Sequence, residues 1–374
     1  MTTKIPNCSS IDVGLFLDTD GEVRTCCAGY GSFGNIKDKP LDQMFTYDNP
    51  FYNTTKNAMD QQVFPSYCDG CIKTEKLAPG SSQLSYFKEF KSSGKREIKH
   101  LDLRWSNVCN LNCRYCDPKA SSSWEKLVGQ APQSANRDYH ESIFNAVREN
   151  IDSLEVVFLL GGEPLMQKQN ETLLDIIGVD TRIDIITNLS VNLENNKIYN
   201  LLKKQKNVGW HLSFDNVGDR FEYVRSGAEW ERLVHNIKLL TEDFGLPHIT
   251  FHPVYGIWSA TRLVEYYDFV AEMGIFNVSW QIAQSSPGPY GNDTFSIYDH
   301  NERIKQLAID QIDAVPDLIV NNSFFAPVKN NLETMPSIPG TSEKFLAWTD
   351  RIETLIPPKH SFANLWPELY GVMK

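Results

Sequence analysis

The sequence lacks any long hydrophobic segment. Its longest unbroken run of aliphatic or aromatic residues spans 156–160, much shorter than the roughly 20 residues that a helix needs to cross a membrane. Residues 1–8 also contain no apolar stretch that a secretion pathway could recognise. We therefore expect a soluble, cytoplasmic protein without a membrane interaction.

Positive charge is also scarce. The chain has 36 lysine and arginine residues against 47 aspartate and glutamate residues, which leaves a net charge of −11 at pH 7. A surface with an excess of negative charge repels the phosphate backbone of nucleic acids. General nucleic-acid binding is therefore not expected.

Cysteine is absent from most of the chain. All eight cysteines lie within the first 116 of 374 residues, at positions 8, 26, 27, 68, 71, 109, 113 and 116. Because the cytoplasm keeps thiols reduced, clustered cysteines there hold metals more often than they form disulfides. The first 116 residues are therefore predicted to contain metal sites.

The middle of the chain alternates between two periodic patterns. Short apolar, β-rich runs predict strands at 99–105, 155–160, 182–188, 208–215, 248–255 and 276–283, and helical patterns occupy 138–150, 168–178, 194–204, 228–241 and 259–273. This order is typical of an α/β fold with a parallel sheet and right-handed crossovers. Six such units predict an open or partial (β/α)6 barrel, with its chemistry at the C-terminal ends of the strands.

The two ends of the chain have different patterns. Near the start, apolar residues 13–17, an Asp-Gly turn at 20–21 and a second run at 22–26 predict a β-hairpin. After residue 290 the strand pattern stops, and helical segments near 300–314 and 341–355 alternate with prolines. We therefore divide the chain into a small N-terminal domain at 1–95, a barrel core at 96–290 and a helical C-terminal extension at 291–374.

The strongest motif is Cys109-x3-Cys113-x2-Cys116, directly after the first predicted barrel strand. Three thiolates on one short loop can ligate three irons of a four-iron cluster and leave the fourth iron without a protein ligand. The alternative is a zinc site, although zinc normally takes a fourth ligand and favours paired Cys-x2-Cys units. The spacing, with Tyr115 before the third cysteine, resembles the radical S-adenosylmethionine (SAM) superfamily, in which SAM chelates the open iron.

Residues at the ends of the following strands extend this resemblance. Residues 161–164, Gly-Gly-Glu-Pro, resemble the motif after the second strand of the family, and 213–215 with 225–227 resemble stretches of its peptide-modifying members. Leu189 and Asn216 stand where the family commonly has glycine. The resemblance implies SAM contacts by Tyr115, Gly161, Gly162, Glu163, Asn188, Ser213, Asp215 and Arg225. For Ser213 and Asp215 the alternative is a buried polar pair with internally satisfied hydrogen bonds.

The N-terminal cysteines form a second pattern. Cys8, Cys26 and the pair Cys68-x2-Cys71 resemble the Twitch form of SPASM domains, which hold an auxiliary four-iron cluster. In better-known enzymes this domain follows the barrel, whereas here it precedes the barrel. A zinc site is the alternative, because four thiols also suit zinc. Cys27 is left over, and a spare cysteine is most often a packing residue.

The resemblance implies a reaction that uses two [4Fe-4S] clusters and SAM. A one-electron donor such as flavodoxin or ferredoxin reduces the barrel cluster, SAM is cleaved to a 5′-deoxyadenosyl radical, and this radical takes a hydrogen atom from a substrate C–H bond. The first hypothesis is modification of a peptide or protein, the second is oxidation or rearrangement of a small metabolite, and the third is a non-catalytic, metal-stabilised scaffold.

The sequence also indicates where the substrate lies and how its radical is resolved. Polar residues within apolar strands are the candidates for substrate contact: Arg104, His211, His252 and Gln281. Because no cysteine follows residue 116, only Cys27 is left as a thiol that could return a hydrogen atom. We therefore favour a cross-linked or dehydrogenated product, with the auxiliary cluster as the electron acceptor, over epimerisation.

Overall fold

The computed structural model describes residues 8–29, 31–61, 63–72, 83–93, 96–131, 140–283, 294–316 and 322–374. The strands in these ranges are β1 (Gly14–Leu17), β2 (Glu22–Arg24), β3 (Ser32–Asn35), β4 (His100–Leu103), β5 (Val156–Leu159), β6 (Arg182–Thr187), β7 (Val208–Leu212), β8 (Ile249–Phe251), β9 (Val254–Tyr255) and β10 (Gln281–Ile282). The first helices are α1 (Ser10–Val13), α2 (Leu41–Met44), α3 (Pro50–Asp60), α4 (Gln83–Phe87), α5 (Ser122–Leu127), α6 (His140–Glu149), α7 (Gln169–Ile176) and α8 (Lys197–Leu202). The later ones are α9 (Gly218–Val224), α10 (Trp230–Phe244), α11 (Leu263–Met273), α12 (Glu302–Ala314), α13 (Asn322–Thr334), α14 (Thr341–Leu355), α15 (Phe362–Leu365) and α16 (Pro367–Met373). No helix of these ranges is long and apolar enough to cross a membrane.

The chain forms two compact units. The first contains residues 1–109, 118–186 and 194–209, and the second contains residues 110–117, 187–193 and 210–374. Both contain strands and helices, and their sheet strands are mostly parallel. The predicted α/β fold with a mostly parallel sheet is therefore confirmed.

In the first unit the strands lie in the order β3-β2-β1-β4-β5-β6. The hairpin predicted near the start is confirmed, since β1 and β2 are antiparallel. Gly21 in its turn has a φ of 88°, a left-handed conformation that glycine adopts without steric cost. β1 is also parallel to β4, so the chain before residue 95 is hydrogen-bonded to the first strand of the predicted core. The domain boundary at residue 95 stays a prediction.

The two faces of this sheet differ in polarity, because successive side chains of a strand alternate between faces. One face carries aliphatic side chains that are at most 1% exposed: Leu15, Leu17, Leu101, Leu103, Val157 and Leu159. On the other face Asp102 lies in register between Phe16 and Phe158. His100 lies on the same face and packs against the ring of Phe87. A buried carboxylate therefore occupies the middle of β4.

The second unit joins short parallel strands to the C-terminal helices. β7, from Trp210 onward, pairs with β8, and β9 pairs with β10. Trp258 packs against Phe295 and Trp348, and its carbonyl accepts a hydrogen bond from Trp366 Nε1 at 3.1 Å. The predicted helical segments of the C-terminal extension are confirmed as α12 and α14, whereas α13, which contains Pro327, was not predicted.

The last two predicted strands are shorter than expected. The strand predicted at 248–255 is divided into β8 and β9 at His252-Pro253, because proline has no N–H group for a ladder hydrogen bond. Of the strand predicted at 276–283, β10 and a single bridge between Phe251 and Val278 are formed. The sixth βα unit of the predicted barrel is therefore only partly regular.

Candidate functional site

In the first unit, the Gly-Gly-Glu loop packs directly on the segment that leads into Cys109. The Gly162 amide donates to the Ser106 carbonyl at 3.1 Å, and the Glu163 amide donates to the Val108 carbonyl at 2.7 Å. A Cβ atom on Gly162 would lie 2.6 Å from the Asn107 carbonyl oxygen and closer still to that of Val108. Glycine is thus required at 162 because the backbone of residues 107 and 108 approaches it closely, whereas the sequence resemblance implied only a contact with SAM.

The other two residues of this loop have equally local roles. Gly161 has a φ of 114°, which disfavours any other residue. Glu163 is fully buried, and its Oε1 accepts a hydrogen bond from the Leu165 amide at 3.1 Å. This bond caps the 3-10 turn Pro164–Met166. The conformation of the loop is therefore stabilised by contacts within the protein.

Cys109 is held by the start of α5. Its amide donates to Ser122 Oγ at 3.1 Å, and its carbonyl accepts from Ser123 Oγ at 2.8 Å. Ser121 is the N-cap of α5 and accepts from the Trp124 amide, as a serine at this position commonly does. These serines follow the cysteine motif, and the sequence analysis did not single them out.

In the second unit, Cys113 lies opposite Arg225. The Asn112 amide donates to the Ser226 carbonyl at 2.9 Å, and the Arg114 amide donates to the Val224 carbonyl at 2.8 Å. These two backbone hydrogen bonds lie on either side of Cys113. Burial raises the pKa of the Cys113 thiol, and the positive charge of the nearby Arg225 guanidinium opposes the rise.

Asp215 is hydrogen-bonded to two other predicted site residues of the second unit. Its Oδ2 accepts from Tyr115 Oη at 2.8 Å and from Arg225 Nε at 3.3 Å, and its Oδ1 accepts from the Val254 amide at 2.8 Å. Asp215 is 4% exposed. Both carboxylate oxygens therefore have protein partners, and the SAM contact implied for Asp215 stays a prediction.

The turn after β6 shows how the chain departs from the expected glycine. Leu189 has a φ of 52°, the only positive value of a non-glycine residue in the described ranges. Asn188 stabilises this turn, since its Oδ1 accepts from the amide and the hydroxyl of Ser190 at 2.9 and 2.6 Å. The Leu189 side chain is fully buried. The left-handed turn is thus kept without glycine, and it positions Asn188.

The remaining predicted site residues of the second unit do not form one cluster. The rings of His211 and His252 lie 6.0 Å apart and nearly perpendicular. Burial and the neighbouring His211 lower the pKa of His252 to about 4, so that His252 is neutral near pH 7. Ser213 is half-buried, and its amide donates to the Thr187 carbonyl at 2.9 Å. Gln281 is exposed on β10.

The four N-terminal cysteines of the predicted auxiliary site line one cavity of the first unit: Cys8, Cys26, Cys68 and Cys71. Two of these thiols have short polar contacts: the Leu84 amide donates to Cys71 Sγ at 3.2 Å, and the Cys8 thiol donates to Ser10 Oγ at 3.1 Å. Burial, with a contribution from the other thiols, raises the pKa of Cys8 and of Cys68 to about 12. Neutral thiols are therefore favoured until a cation binds.

The lining of this cavity does not distinguish between the two predicted metal groups. In the described part of the chain, no group of three or more His, Cys, Asp or Glu side chains is arranged to hold a metal ion. Four cysteine thiols suit both a zinc ion and a four-iron cluster, so both alternatives for this site stay predictions.

Asp102 and Arg104 form a charged pair. Arg104 was a predicted substrate contact, whereas Asp102 was not predicted. Asp102 Oδ1 accepts no hydrogen bond, and Arg104 Nε lies 3.7 Å away, too far for a hydrogen bond. Both charges act on the thiol of Cys27, which is exposed. Cys27 is therefore not the packing residue that was expected. Asp102 was missed, although a charged residue between leucines in a buried strand was a visible signal.

At pH 8, Asp102→Asn is expected to raise the melting temperature. Burial raises the pKa of Asp102 to about 6 from 3.8, against the opposing charge of Arg104. The folded chain thus keeps a proton that the unfolded chain releases, and the ionised carboxylate costs about 3 kcal/mol at pH 8. This free-energy cost is absent below pH 3.8 and grows as the pH rises to 6. The increase in melting temperature caused by Asp102→Asn should therefore become smaller as the pH is lowered from 6 to 4, which thermal melts measure.

A matched control lies on the same face of the sheet. Asp184 is also buried, but its Oδ2 is 2.8 Å from Arg182 Nε. Asp184→Asn should lower the melting temperature at pH 8, because it removes a buried carboxylate that is paired with the exposed guanidinium of Arg182. A fall in melting temperature for both variants would contradict the assignment of Asp102 as a destabilising residue.

Comparison with known proteins finds a family match for part of the chain. The sequence model described as the radical SAM superfamily matches residues 103–270, which is less than half of the chain. These residues are thus similar to a radical SAM domain. They contain all three cysteines of the Cys-x3-Cys-x2-Cys motif, the Gly-Gly-Glu loop and the Asp215 network. Such a domain is expected to use SAM and one [4Fe-4S] cluster, and to need a reductant and a substrate.

Two relatives match parts of the chain. The chain is 38% identical over 89 residues to 7-carboxy-7-deazaguanine synthase of Clostridium acetobutylicum, which covers 23% of the chain and 36% of that protein. It is 29% identical over 160 residues to the radical SAM cyclopropyl synthase TigE of Paramaledivibacter caminithermalis, which covers 39% of the chain and 34% of that protein. The chain thus spans about a third of the length of either relative.

Solved structures give weaker similarities. The structure of anSMEcpe with bound AdoMet matches with a TM-score of 0.44 and 16% identity, over 58% of this chain and 59% of that one. Streptococcus suis SuiB bound to S-adenosylmethionine matches with a TM-score of 0.42 and 18% identity, over 73% of this chain and 55% of that one.

Proposed function

We propose that the protein is a cytoplasmic radical SAM enzyme that takes a hydrogen atom from a C–H bond of a peptide or protein substrate. The observation that carries the proposal is the match of residues 103–270 to the radical SAM superfamily, which includes the Cys109-x3-Cys113-x2-Cys116 motif. With SAM on its open iron, a reduced four-iron cluster supplies a 5′-deoxyadenosyl radical. A flavodoxin or a ferredoxin is the proposed electron donor.

Different residues are proposed to hold the cluster and to hold SAM. Cys109, Cys113 and Cys116 are the proposed iron ligands. Tyr115, Asp215 and Arg225 bond to one another, so we assign them to the support of the cysteine loop. The proposed SAM contacts are then the backbone of residues 161–163 and the polar groups of Asn188 and Ser213.

The cavity lined by Cys8, Cys26, Cys68 and Cys71 is the proposed site of a second four-iron cluster. With four thiol ligands this cluster has no open iron, so its role is to accept an electron and not to bind SAM. Cys26 is followed directly by Cys27, and burial and then the charge of Asp102 raise the pKa of the Cys27 thiol, while the charge of Arg104 opposes the rise. The electron acceptor and this charged pair are thus neighbours within the first unit.

Asp102 fits the role of proton acceptor in a net oxidation. A substrate radical next to an N–H or O–H group forms a double bond when it loses one electron and that proton. A cluster held by Cys8, Cys26, Cys68 and Cys71 would supply the electron acceptor, and the carboxylate of Asp102, whose raised pKa of about 6 suits a base near neutral pH, would accept the proton. The charge of Arg104, 3.7 Å away, would favour the ionised carboxylate before the transfer. The product is two hydrogen atoms lighter than the substrate.

Oxidation or rearrangement of a small metabolite is the second candidate. It is favoured by the similarity to 7-carboxy-7-deazaguanine synthase over 89 residues. Peptide modification is favoured by Ser213-Phe214-Asp215 with Arg225-Ser226-Gly227, which resemble stretches of peptide-modifying members of the family. A precursor-peptide gene beside the gene of this protein would support the first candidate.

The direct test of the proposed function is reductive cleavage of SAM. Anaerobically reconstituted and reduced protein should release 5′-deoxyadenosine and methionine slowly without substrate, and Cys113→Ala should release neither. Chromatography of the quenched reaction measures both products. Metal-loaded wild-type protein that leaves SAM intact would contradict the proposal and favour the non-catalytic scaffold.

The two ways of resolving the substrate radical differ in the mass of the product. Once a substrate is identified, net oxidation predicts a product two mass units lighter, unchanged in Cys27→Ala. A product of equal mass with one deuterium from deuterated water, lost in Cys27→Ala, would instead make Cys27 the hydrogen donor. Mass spectrometry of reactions in deuterated water separates these outcomes.

A further inference from the structure

Arg225 is held against the cysteine loop from three sides. It is 6% exposed, and its Nη2 and Nε lie 3.2 and 3.3 Å from Asp215 Oδ2. Its guanidinium carbon lies 5.4 Å from the centre of the Tyr115 ring. The third side is Cys113, which two backbone hydrogen bonds, from residues 112 and 114 to residues 226 and 224, place opposite Arg225. These contacts leave little of Arg225 accessible to a ligand.

The backbone explains why Arg225 meets Cys113 and neither of the neighbouring cysteines. Hydrogen bonds from residues 112 and 114 to the carbonyls of 226 and 224 place Cys113 and Arg225 opposite each other. Side chains of directly opposed residues lie about 4.5–5.5 Å apart at their Cβ atoms. The pairing is therefore built into the backbone and does not depend on a rotamer of the long arginine side chain.

We propose that Arg225 is a positioning residue that donates an N–H group to the Cys113 sulfur and thereby sets the reduction potential of the barrel cluster. This inference rests on the proposed function and departs from the SAM contact that the sequence resemblance implies for Arg225. Hydrogen bonds and positive charge near a cluster sulfur stabilise the reduced cluster, which carries one more negative charge. Arg225 should therefore raise the potential and ease reduction by the electron donor.

The roles of Asp215 and Tyr115 follow from this assignment. Asp215 fixes the direction of the guanidinium and balances its charge in a buried site, where an isolated charge would be costly. Tyr115 covers the guanidinium with its ring and anchors its own hydroxyl on Asp215. The three side chains thus form a support behind Cys113, and a SAM carboxylate would have to displace Asp215 to reach Arg225.

The test is a redox titration of the reconstituted full-length protein, monitored by the EPR signal that the Cys109/Cys113/Cys116→Ala variant lacks. Arg225→Lys and the double variant Arg225→Gln with Asp215→Asn should both shift the midpoint potential to lower values, the double variant further. The double variant removes both buried charges together and so avoids an unpaired carboxylate. SAM affinity, measured by equilibrium dialysis, should change less than twofold.

Arg114 provides the matched control on the same loop. It is 1% exposed, but its Nε donates to the Tyr223 carbonyl at 2.8 Å and its guanidinium lies 3.8 Å from the Tyr223 ring. Arg114→Lys should leave the potential unchanged. An unchanged potential in both Arg225 variants, or a tenfold loss of SAM affinity with an unchanged potential, would overturn the inference. A wild-type protein without this EPR signal would instead contradict the proposed function.

Discussion

Replacing Gly162 with alanine should abolish SAM cleavage and remove about four irons per chain. The new Cβ would lie 2.6 Å from the Asn107 carbonyl oxygen, so either the loop at 161–163 or the segment before Cys109 must move. Forcing extra atoms into a packed backbone site costs about 1–3 kcal/mol, and more where the neighbour is rigid. Here the hydrogen bonds from residues 162 and 163 to residues 106 and 108 tie both segments together.

Gly178 is the matched control for this prediction. It lies in the same unit, and a Cβ there would meet only Thr181 Oγ1, at 3.8 Å. Gly178→Ala should keep the iron content and the SAM cleavage of the wild type. Full iron content with lost SAM affinity in Gly162→Ala would show that a ligand, and not the protein backbone, requires this glycine.

Replacing either set of cluster cysteines should halve the iron content. Reconstituted wild-type protein is expected to hold about eight irons in two four-iron clusters, and Cys109/Cys113/Cys116→Ala about four. Replacing Cys8, Cys26, Cys68 and Cys71 by alanine should also leave about four irons, but with SAM cleavage retained. The two variants should contain the same amount of iron, but only the second should cleave SAM, because the first lacks the cluster with an open iron.

Cys27→Ala is the control variant, because it removes a cysteine that is assigned to neither cluster. Cys27 belongs to neither ligand set, so this variant should keep about eight irons. Iron and zinc are measured on the same samples by plasma mass spectrometry. One zinc per chain that is lost with Cys8, Cys26, Cys68 and Cys71 would assign the N-terminal cavity to zinc.

The helices and the hairpin of this fold could be predicted because their signals are local. The helical spacing of apolar residues predicted 228–241 and 259–273, and the structure has α10 and α11 at those places. The Asp-Gly turn likewise predicted the pairing of β1 and β2. In each case the side chains that decide the conformation lie within a few residues of one another.

Pairings between distant residues could not be predicted in the same way. Gly162 looked like a residue that makes room for a ligand, and only the approach of the segment at 106–108 shows what it accommodates. Asp215 and Arg225 were placed on the same site by resemblance, but their positions next to Tyr115 and Cys113 depend on how the loop at 110–117 crosses residues 224–226. Such contacts follow from tertiary packing, which local patterns do not encode.

The most direct test of the open-iron cluster is the EPR spectrum of the reduced protein with and without SAM, in the variant that lacks Cys8, Cys26, Cys68 and Cys71. Only one cluster is then expected, on Cys109, Cys113 and Cys116. Coordination of SAM to its open iron should change the g values of the signal, and SAM labelled with a magnetic nucleus on its amino or carboxylate group should show coupling to the cluster. A spectrum unchanged by saturating SAM, without coupling, would contradict the assignment of these three cysteines to a SAM-binding cluster.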